Sequence, residues 1–216
     1  MRKLTRNTLA AAAVTTMALG LTAAPAHAAT FTVTGGTSIT GNASEPLVAT
    51  VPRTGAFATC DTGTATGTAQ NGSGLSGTGI GALNTVAFSD STTEDGRCPA
   101  STGAVGTLTA NNTPWGFNVS SESGGVAQGT LTGVKATAVF SDGCNIVATG
   151  PGGGGGTING TYTNSSSELR VLPGGAGSNL VIQSAVGCNV NDAKAGDALE
   201  LDGAFTITPG LTITQD

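Results

Sequence analysis

The sequence predicts an all-β fold, a single antiparallel β-sandwich or a partly closed barrel, spanning residues 29–216. Apolar and polar residues alternate over many short stretches, which is the period of a half-buried strand. After residue 29, no stretch has the apolar spacing of an amphipathic helix without interruption by Gly or Thr. Turn dipeptides such as Asn71-Gly72 and Asp142-Gly143 separate the alternating stretches.

The strongest alternation lies at residues 198–208, where every second residue is apolar or small and most of the others are polar. One face of this strand should pack in the core while the other contacts water. Its predicted core residues are Leu199, Leu201, Gly203, Phe205 and Ile207. The same pattern predicts strands at 31–33, 47–51, 56–60, 86–88, 105–108, 115–119, 134–140, 158–162, 169–172, 180–182 and 211–213.

Pro151 and the five glycines at 152–156 predict a loop between strands. A phosphate-binding loop would need a strand before it, a helix after it and a Lys within it. The sequence around this run offers none of the three.

Residues 1–28 resemble a secretory signal peptide. They have a basic start, an apolar stretch over 9–21 and the small-residue end Ala26-His27-Ala28. The apolar stretch is too short and too polar to span a ~30 Å hydrocarbon layer. No later stretch approaches 18 apolar residues, so no membrane anchor is predicted. We therefore expect an extracellular, secreted protein.

Cleavage after Ala28 would leave 188 of the 216 residues and change their charge. Five basic and 13 acidic residues would remain, a net charge of −8, which argues against a nucleic-acid partner. The chain's one histidine, His27, would also be removed. Because no imidazole base or ligand would remain, we expect no enzyme beyond a low probability of a carboxylate-dependent hydrolase, and no cofactor.

Four cysteines remain after cleavage, and in an exported chain an even number indicates two disulfides. Four cysteines allow three connectivities. We favour pairing in sequence order, because each bridge then closes a segment of similar size. The cysteines are Cys60, Cys98, Cys144 and Cys188.

The densest acidic group is Asp90, Glu94 and Asp95, just before Arg97. Three carboxylates on a Gly-containing loop make a weak calcium candidate, because Ca²⁺ takes oxygen ligands and tolerates irregular loops. The spacing does not match an EF-hand, so a solvated loop with Arg97 as counter-charge is the favoured interpretation. No other metal site is predicted, and no catalytic set.

Trp115 and Tyr162 are the only residues of their types. Both lie on the apolar face of an alternating strand, which favours burial in the core over a sugar-binding platform. Lys135 falls within a predicted strand and is expected to contact water.

The chain resembles a family of uncharacterised exported proteins of actinomycete-type bacteria. The resemblance rests on ATFTVTGG, GSGLSGTGIGALNTVAFSD, TPWGFNV, GTLTGVKATAVFSDGC, INGTYTNSSSELRVLP and GAFTITPG, which cover most of the mature chain. It transfers no functional residues. In Cys placement and the Pro-Trp segment, the chain is also similar to secreted PraA/PraB-type proteins, which implies an extracellular or surface role.

These observations lead us to expect a non-enzymatic extracellular or cell-surface protein that acts by binding or assembly. Its partner would be an unknown protein or polysaccharide at the cell surface. The alternative is a secreted toxin, inhibitor or pore-forming subunit, because alternating strands are compatible with a barrel-forming oligomer.

Overall fold

The structure is a computed structural model that describes residues 28–216. The predicted signal peptide therefore lies outside the described residues except for Ala28. The strands are β1 (Thr30–Thr34), β2 (Ser38–Val51), β3 (Ala56–Cys60), β4 (Thr62–Ala69), β5 (Gly72–Ser76), β6 (Gly81–Ser89), β7 (Cys98–Pro99), β8 (Val105–Asn111), β9 (Trp115–Ser123), β10 (Val126–Phe140), β11 (Asn145–Thr149), β12 (Gly156–Thr163), β13 (Glu168–Leu172), β14 (Val181–Val186), β15 (Glu200–Thr208) and β16 (Thr212–Gln215).

Eight antiparallel strands close into a barrel in the order β10-β12-β13-β15-β2-β4-β6-β9, with β9 pairing back onto β10. The all-β prediction is confirmed, in its barrel form. Strands β2 and β10 are 14 and 15 residues long and continue past this ring. Beyond it, β2 pairs with β3, while β10 pairs with β11 on one side and β8 on the other.

The barrel has two halves along its axis, which we call the plugged half and the open half. The plugged half consists of β4, β6, β9, β12 and β13 with residues 38–45, 126–134 and 203–208. The open half consists of β3, β7, β8, β11 and β14 with residues 47–51, 135–140 and 198–202. Two isolated bridges, Ala58 with Ala100 and Val181 with Ala198, complete the ring of the open half.

A three-stranded sheet, β16-β1-β5, covers the end of the plugged half. The Tyr162 hydroxyl accepts a hydrogen bond from the Leu211 backbone nitrogen (2.8 Å) and donates one to the Leu211 carbonyl (3.1 Å). The Asn164 side chain makes the same two kinds of bond to Ile213, at 2.9 and 2.8 Å. Phe31 is buried in the core with these residues, so the small sheet seals the barrel interior on this side.

Small inward-facing residues leave room for large ones in the plugged half. Strand β4 alternates exposed threonines with the buried residues Gly63, Ala65, Gly67 and Ala69. A Cβ atom on Gly63 would lie 2.7 Å from Leu47 Cδ1 and 3.4 Å from Phe205 Cε1. Small and large residues thus interdigitate across the interior.

Each of the twelve predicted stretches overlaps a strand of the structure. Strands β4, β5, β7 and β11 were not predicted; β4 lacks a large apolar residue at every inward position. The Gly-rich run lies in a loop between β11 and β12, as predicted, with one short 3-10 helix at Pro151–Gly153. Within residues 28–216, no helix is long and apolar enough to cross a membrane.

Candidate functional site

The barrel interior holds a cavity of about 100 Å³ that side chains do not fill. Its wall in the open half is formed mainly by alanines and leucines, which are Ala49, Ala136, Ala138, Ala148, Leu108, Leu199 and Leu201. Most of these side chains are only half-buried, although they face the interior. Because an alanine methyl reaches a short way across a barrel of this width, the space between the strands stays unfilled.

Strand register places the small residues opposite one another. Ala136 pairs with Ala148 across β10 and β11, and Ala49 pairs with Ala58 across β2 and β3. Ala138 pairs with Leu108 on one side and with Ile146 on the other. Directly paired residues point to the same face of a sheet, so these side chains line one continuous inner surface.

The floor of the cavity consists of large buried side chains from the plugged half, including Trp115, Leu131 and Phe205. The indole nitrogen of Trp115 donates a hydrogen bond to the Asn111 carbonyl (3.0 Å). The polar atom of this side chain is therefore satisfied by the backbone, and its ring carbons are left to border the cavity.

The polar side chains that border the cavity direct their polar atoms elsewhere. Asp202 contacts the Arg170 guanidinium at 3.5 Å, and the Thr137 hydroxyl accepts a hydrogen bond from the Asn111 side chain (3.2 Å). No buried side-chain nitrogen or oxygen of the described residues lacks a hydrogen-bond partner.

A second cavity, of about 90 Å³, lies between the first one and the loops at the end of the open half. The two cavities share Ala49, Leu108, Ala138, Ile146 and Leu199 in their linings. The outer rim of the second cavity is polar, and its residues are Ser101, Thr102, Asp142, Asn189 and Asp192. We refer to this rim as the mouth of the barrel.

The loop at 187–197 forms one side of the mouth and is held by Arg53 from the β2–β3 turn. Two guanidinium nitrogens of Arg53 contact the two Asp197 carboxylate oxygens at 2.7 Å each. Arg53 also donates to the Val190 carbonyl (3.0 Å), and the Thr54 hydroxyl donates to the Asp192 carbonyl (2.8 Å). The hydrogen bond from Arg53 holds the pKa of the buried Asp197 carboxyl below its usual range.

Both disulfides belong to the open half, and they pair the cysteines in sequence order as predicted. Cys60–Cys98 links β3 to β7, with the Cα atoms 4.8 Å apart. Cys144–Cys188 links the start of β11 to the mouth loop, with a Cα–Cα distance of 4.2 Å. Cys60–Cys98 reinforces the ring beside the isolated Ala58–Ala100 bridge, whereas Cys144–Cys188 ties the mouth loop to the end of the paired strands β11 and β14.

The acidic loop does not gather its three carboxylates around a common centre. Asp90 is buried, and its oxygens accept hydrogen bonds from the Thr92 hydroxyl, the Thr92 nitrogen (3.0 Å) and the Asp61 nitrogen (3.3 Å). The bond from the Thr92 hydroxyl is the main cause of its lowered pKa.

Asp95 pairs with Arg97, and Glu94 is exposed. In the part of the chain that the structure describes, no group of three or more His, Cys, Asp or Glu side chains is placed to hold a metal ion. The calcium interpretation therefore gains no support and stays a prediction from the sequence.

Trp115 and Tyr162 are buried, at 4% and 2% exposure, as the strand pattern predicts. The sequence reasoning missed the cavity itself. The available signal was the small apolar residues Val134, Ala136 and Ala138 at alternate positions of a stretch that the sequence predicts only as a strand. Whether such residues leave a cavity depends on what faces them from distant strands.

A scan against protein-family models, a search of curated proteins and a search of solved structures each gave no match to this chain.

Proposed function

We propose that this chain is a secreted, non-enzymatic extracellular protein that acts by binding, with the cavity of the open half as its binding site. The observation that carries the proposal is an apolar space inside a barrel that is sealed at one end and bordered by loops at the other. Eight-stranded barrels have interiors wide enough to hold one small ligand when side chains do not fill them.

The chemistry of the cavity supports binding rather than catalysis. General acid–base catalysis needs a titratable group within hydrogen-bond reach of the substrate. Asp142 and Asp192 border only the outer cavity, and Asp142 accepts a hydrogen bond from the Cys144 backbone (3.0 Å). An acid–base pair facing the inner cavity is not present among the described residues.

The features that support export are the signal-peptide pattern of residues 1–28 and the two disulfides. The resemblance to exported actinomycete proteins agrees with this. A partner protein or polysaccharide at the cell surface would receive or present the bound molecule.

Trp115 provides a direct test of binding, because it is the only Trp and it borders the cavity. The refolded, disulfide-bonded protein is titrated with apolar compounds of several sizes, and with soluble polysaccharides as a comparison. We expect a saturable change in Trp emission with at least one apolar compound. Failure of every apolar compound to bind the folded protein would refute the proposed binding site.

Export is tested separately by expressing the full chain in a bacterium with a general secretion pathway. We expect the protein in the medium or at the cell surface, with an N-terminus at Ala29 and no free thiol. Retention in the cytoplasm with residues 1–28 intact would contradict the proposed location.

A further inference from the structure

We infer that the cavity takes a compact, uncharged apolar molecule of about the size of one aromatic ring. Molecules of the same shape that carry hydrogen-bonding groups bind more weakly, and long acyl chains are excluded. The inference rests on the proposed function and specifies the class of its ligand.

The size of the inner cavity sets the first limit. Its volume of about 100 Å³ is close to that of the engineered apolar cavities of roughly 150 Å³ that bind benzene or xenon. Sites for larger organic ligands measure about 300–1,000 Å³. A single ring or a short branched hydrocarbon therefore matches the space, whereas a multi-ring ligand does not.

The missing hydrogen-bond partners set the second limit. A ligand hydroxyl or amide in the inner cavity would lose its bonds to water, and the lining is apolar apart from Asp202 and Thr137, which bond to Arg170 and Asn111. Burying an unpaired polar group is unfavourable. A hydrocarbon carries no such penalty, so the cavity discriminates against the polar analogues of a ligand of the same shape.

The ends of the space set the third limit. Toward the plugged half, the floor formed by Trp115, Leu131 and Phe205 blocks extension of a long chain. Toward the mouth, a fatty-acid carboxylate would meet Asp142 and Asp192. Two cations lie near the mouth: Arg53 is bonded to Asp197, and the exposed Lys194 of the 187–197 loop does not line the outer cavity. An anionic headgroup would therefore meet the two carboxylates of the lining and be repelled.

The small side chains of Ala136 and Ala138 on β10 keep the space open, so replacing them with larger residues tests the inference directly. Ala138 borders both cavities, and the next residue on β10, Val139, is 54% exposed on the outside of the barrel. Replacing Ala138 by leucine puts three more carbons into the cavity. Replacing Val139 by leucine changes the same strand by one methylene on the outer surface and serves as the matched control.

The experiment measures toluene, phenol and sodium palmitate binding to the disulfide-bonded protein by Trp115 emission and by the shift in melting temperature. We expect toluene to bind and raise the melting temperature, phenol to bind more weakly, and palmitate not to bind. Ala138→Leu should weaken toluene binding by about tenfold or more, because pocket volume changes of this kind have effects of that size. Val139→Leu should bind toluene like the unchanged protein.

A second cavity variant, Ala136→Val, repeats the test should Ala138→Leu fail to fold. Toluene binding that is unchanged in every cavity variant that folds would overturn the inference, because the ligand would then lie elsewhere. Palmitate binding that exceeds toluene binding and is lost in Ala138→Leu would overturn the compact ligand class and leave the proposed function standing. No binding of any apolar compound by the folded protein would overturn both.

Discussion

The two halves of the barrel are held together in different ways. In the plugged half, large side chains such as Phe117, Leu131 and Phe205 fill the interior, and a small sheet covers its end. In the open half, alanines line an unfilled space, single bridges complete the ring, and both disulfides lie in its strands and loops. The half without a packed centre is thus the one with covalent links.

The difference has a physical reason. Packing stabilises a barrel only by occupying its interior, so a half that keeps an empty space forfeits that contribution. A disulfide stabilises chiefly by restricting the unfolded chain and occupies little of the interior. Covalent links therefore allow the open half to stay hollow and still remain closed.

The largest expected effect is the loss of both disulfides. Each bridge is worth roughly 3–4 kcal/mol by the loop-entropy estimate. Reduction should therefore lower the melting temperature substantially, and hydrogen exchange should show that β3, β7, β8, β11 and β14 lose protection before the plugged half does. An unchanged melt, or earlier exchange in β4 and β12, would contradict the comparison between the halves.

Truncating one large side chain in each half should have unequal effects. Phe205→Ala removes a buried ring from the plugged half and should cost about 3–5 kcal/mol of the free energy of unfolding. Leu199→Ala enlarges a space that already exists beside a half-buried residue, and should cost about 1 kcal/mol. Urea unfolding monitored by circular dichroism measures both, and equal losses would show that the open half is packed as tightly as the plugged half.

The mouth loop should respond to pH through Asp197. The pKa of this carboxyl is lowered in the folded state, so its ion pair with Arg53 stabilises fully above the usual Asp value near 4. That stabilisation is lost as the pH falls from there through the lowered folded value. Asp197→Asn should reduce the melting temperature at neutral pH, by less than disulfide reduction or the two side-chain truncations do.

The difference between this variant and the unchanged protein should shrink as the pH falls below about 4 and through the lowered folded pKa of Asp197, because protonation removes the charge that Asn also lacks. The lowered pKa values of Asp90, Glu45 and Asp216 affect both proteins alike and cancel in the comparison. A difference that stays constant with pH would show that Asp197 holds the loop through its uncharged hydrogen bonds alone.

Much of the fold could be predicted from the sequence because alternation is a local property. The odd-numbered residues from Leu199 to Ile207 were assigned to the inner face from their order alone, and Phe205 is buried there. Strand β4 was missed because its inward residues are Gly and Ala, which carry too little apolar surface to mark a buried face.

The candidate site could not be predicted in the same way. In the sequence, Ala136 and Ala138 look like ordinary core residues. If Phe or Leu side chains filled the interior in front of them, no cavity would remain. In the structure Ala136 lies beside Ala148 on the paired strand β11, so small side chains adjoin in the wall and do not fill the interior. The acidic loop is the densest acidic group of the sequence, yet in the structure Asp90 bonds to Thr92 and Asp95 pairs with Arg97.

The sequence by itself determined most of the strands, many of their inward residues and the number of cysteines, since each follows from residue type and spacing. Only the tertiary structure decided that the sheet closes on itself, that one end is sealed, and that a cavity remains at the other. Closure depends on the pairing of β2, near the start of the described chain, with β15, near its end, and the cavity depends on which side chains face each other across the barrel. These contacts join residues that are distant in the chain, so the spacing of neighbouring residues in the sequence cannot predict them.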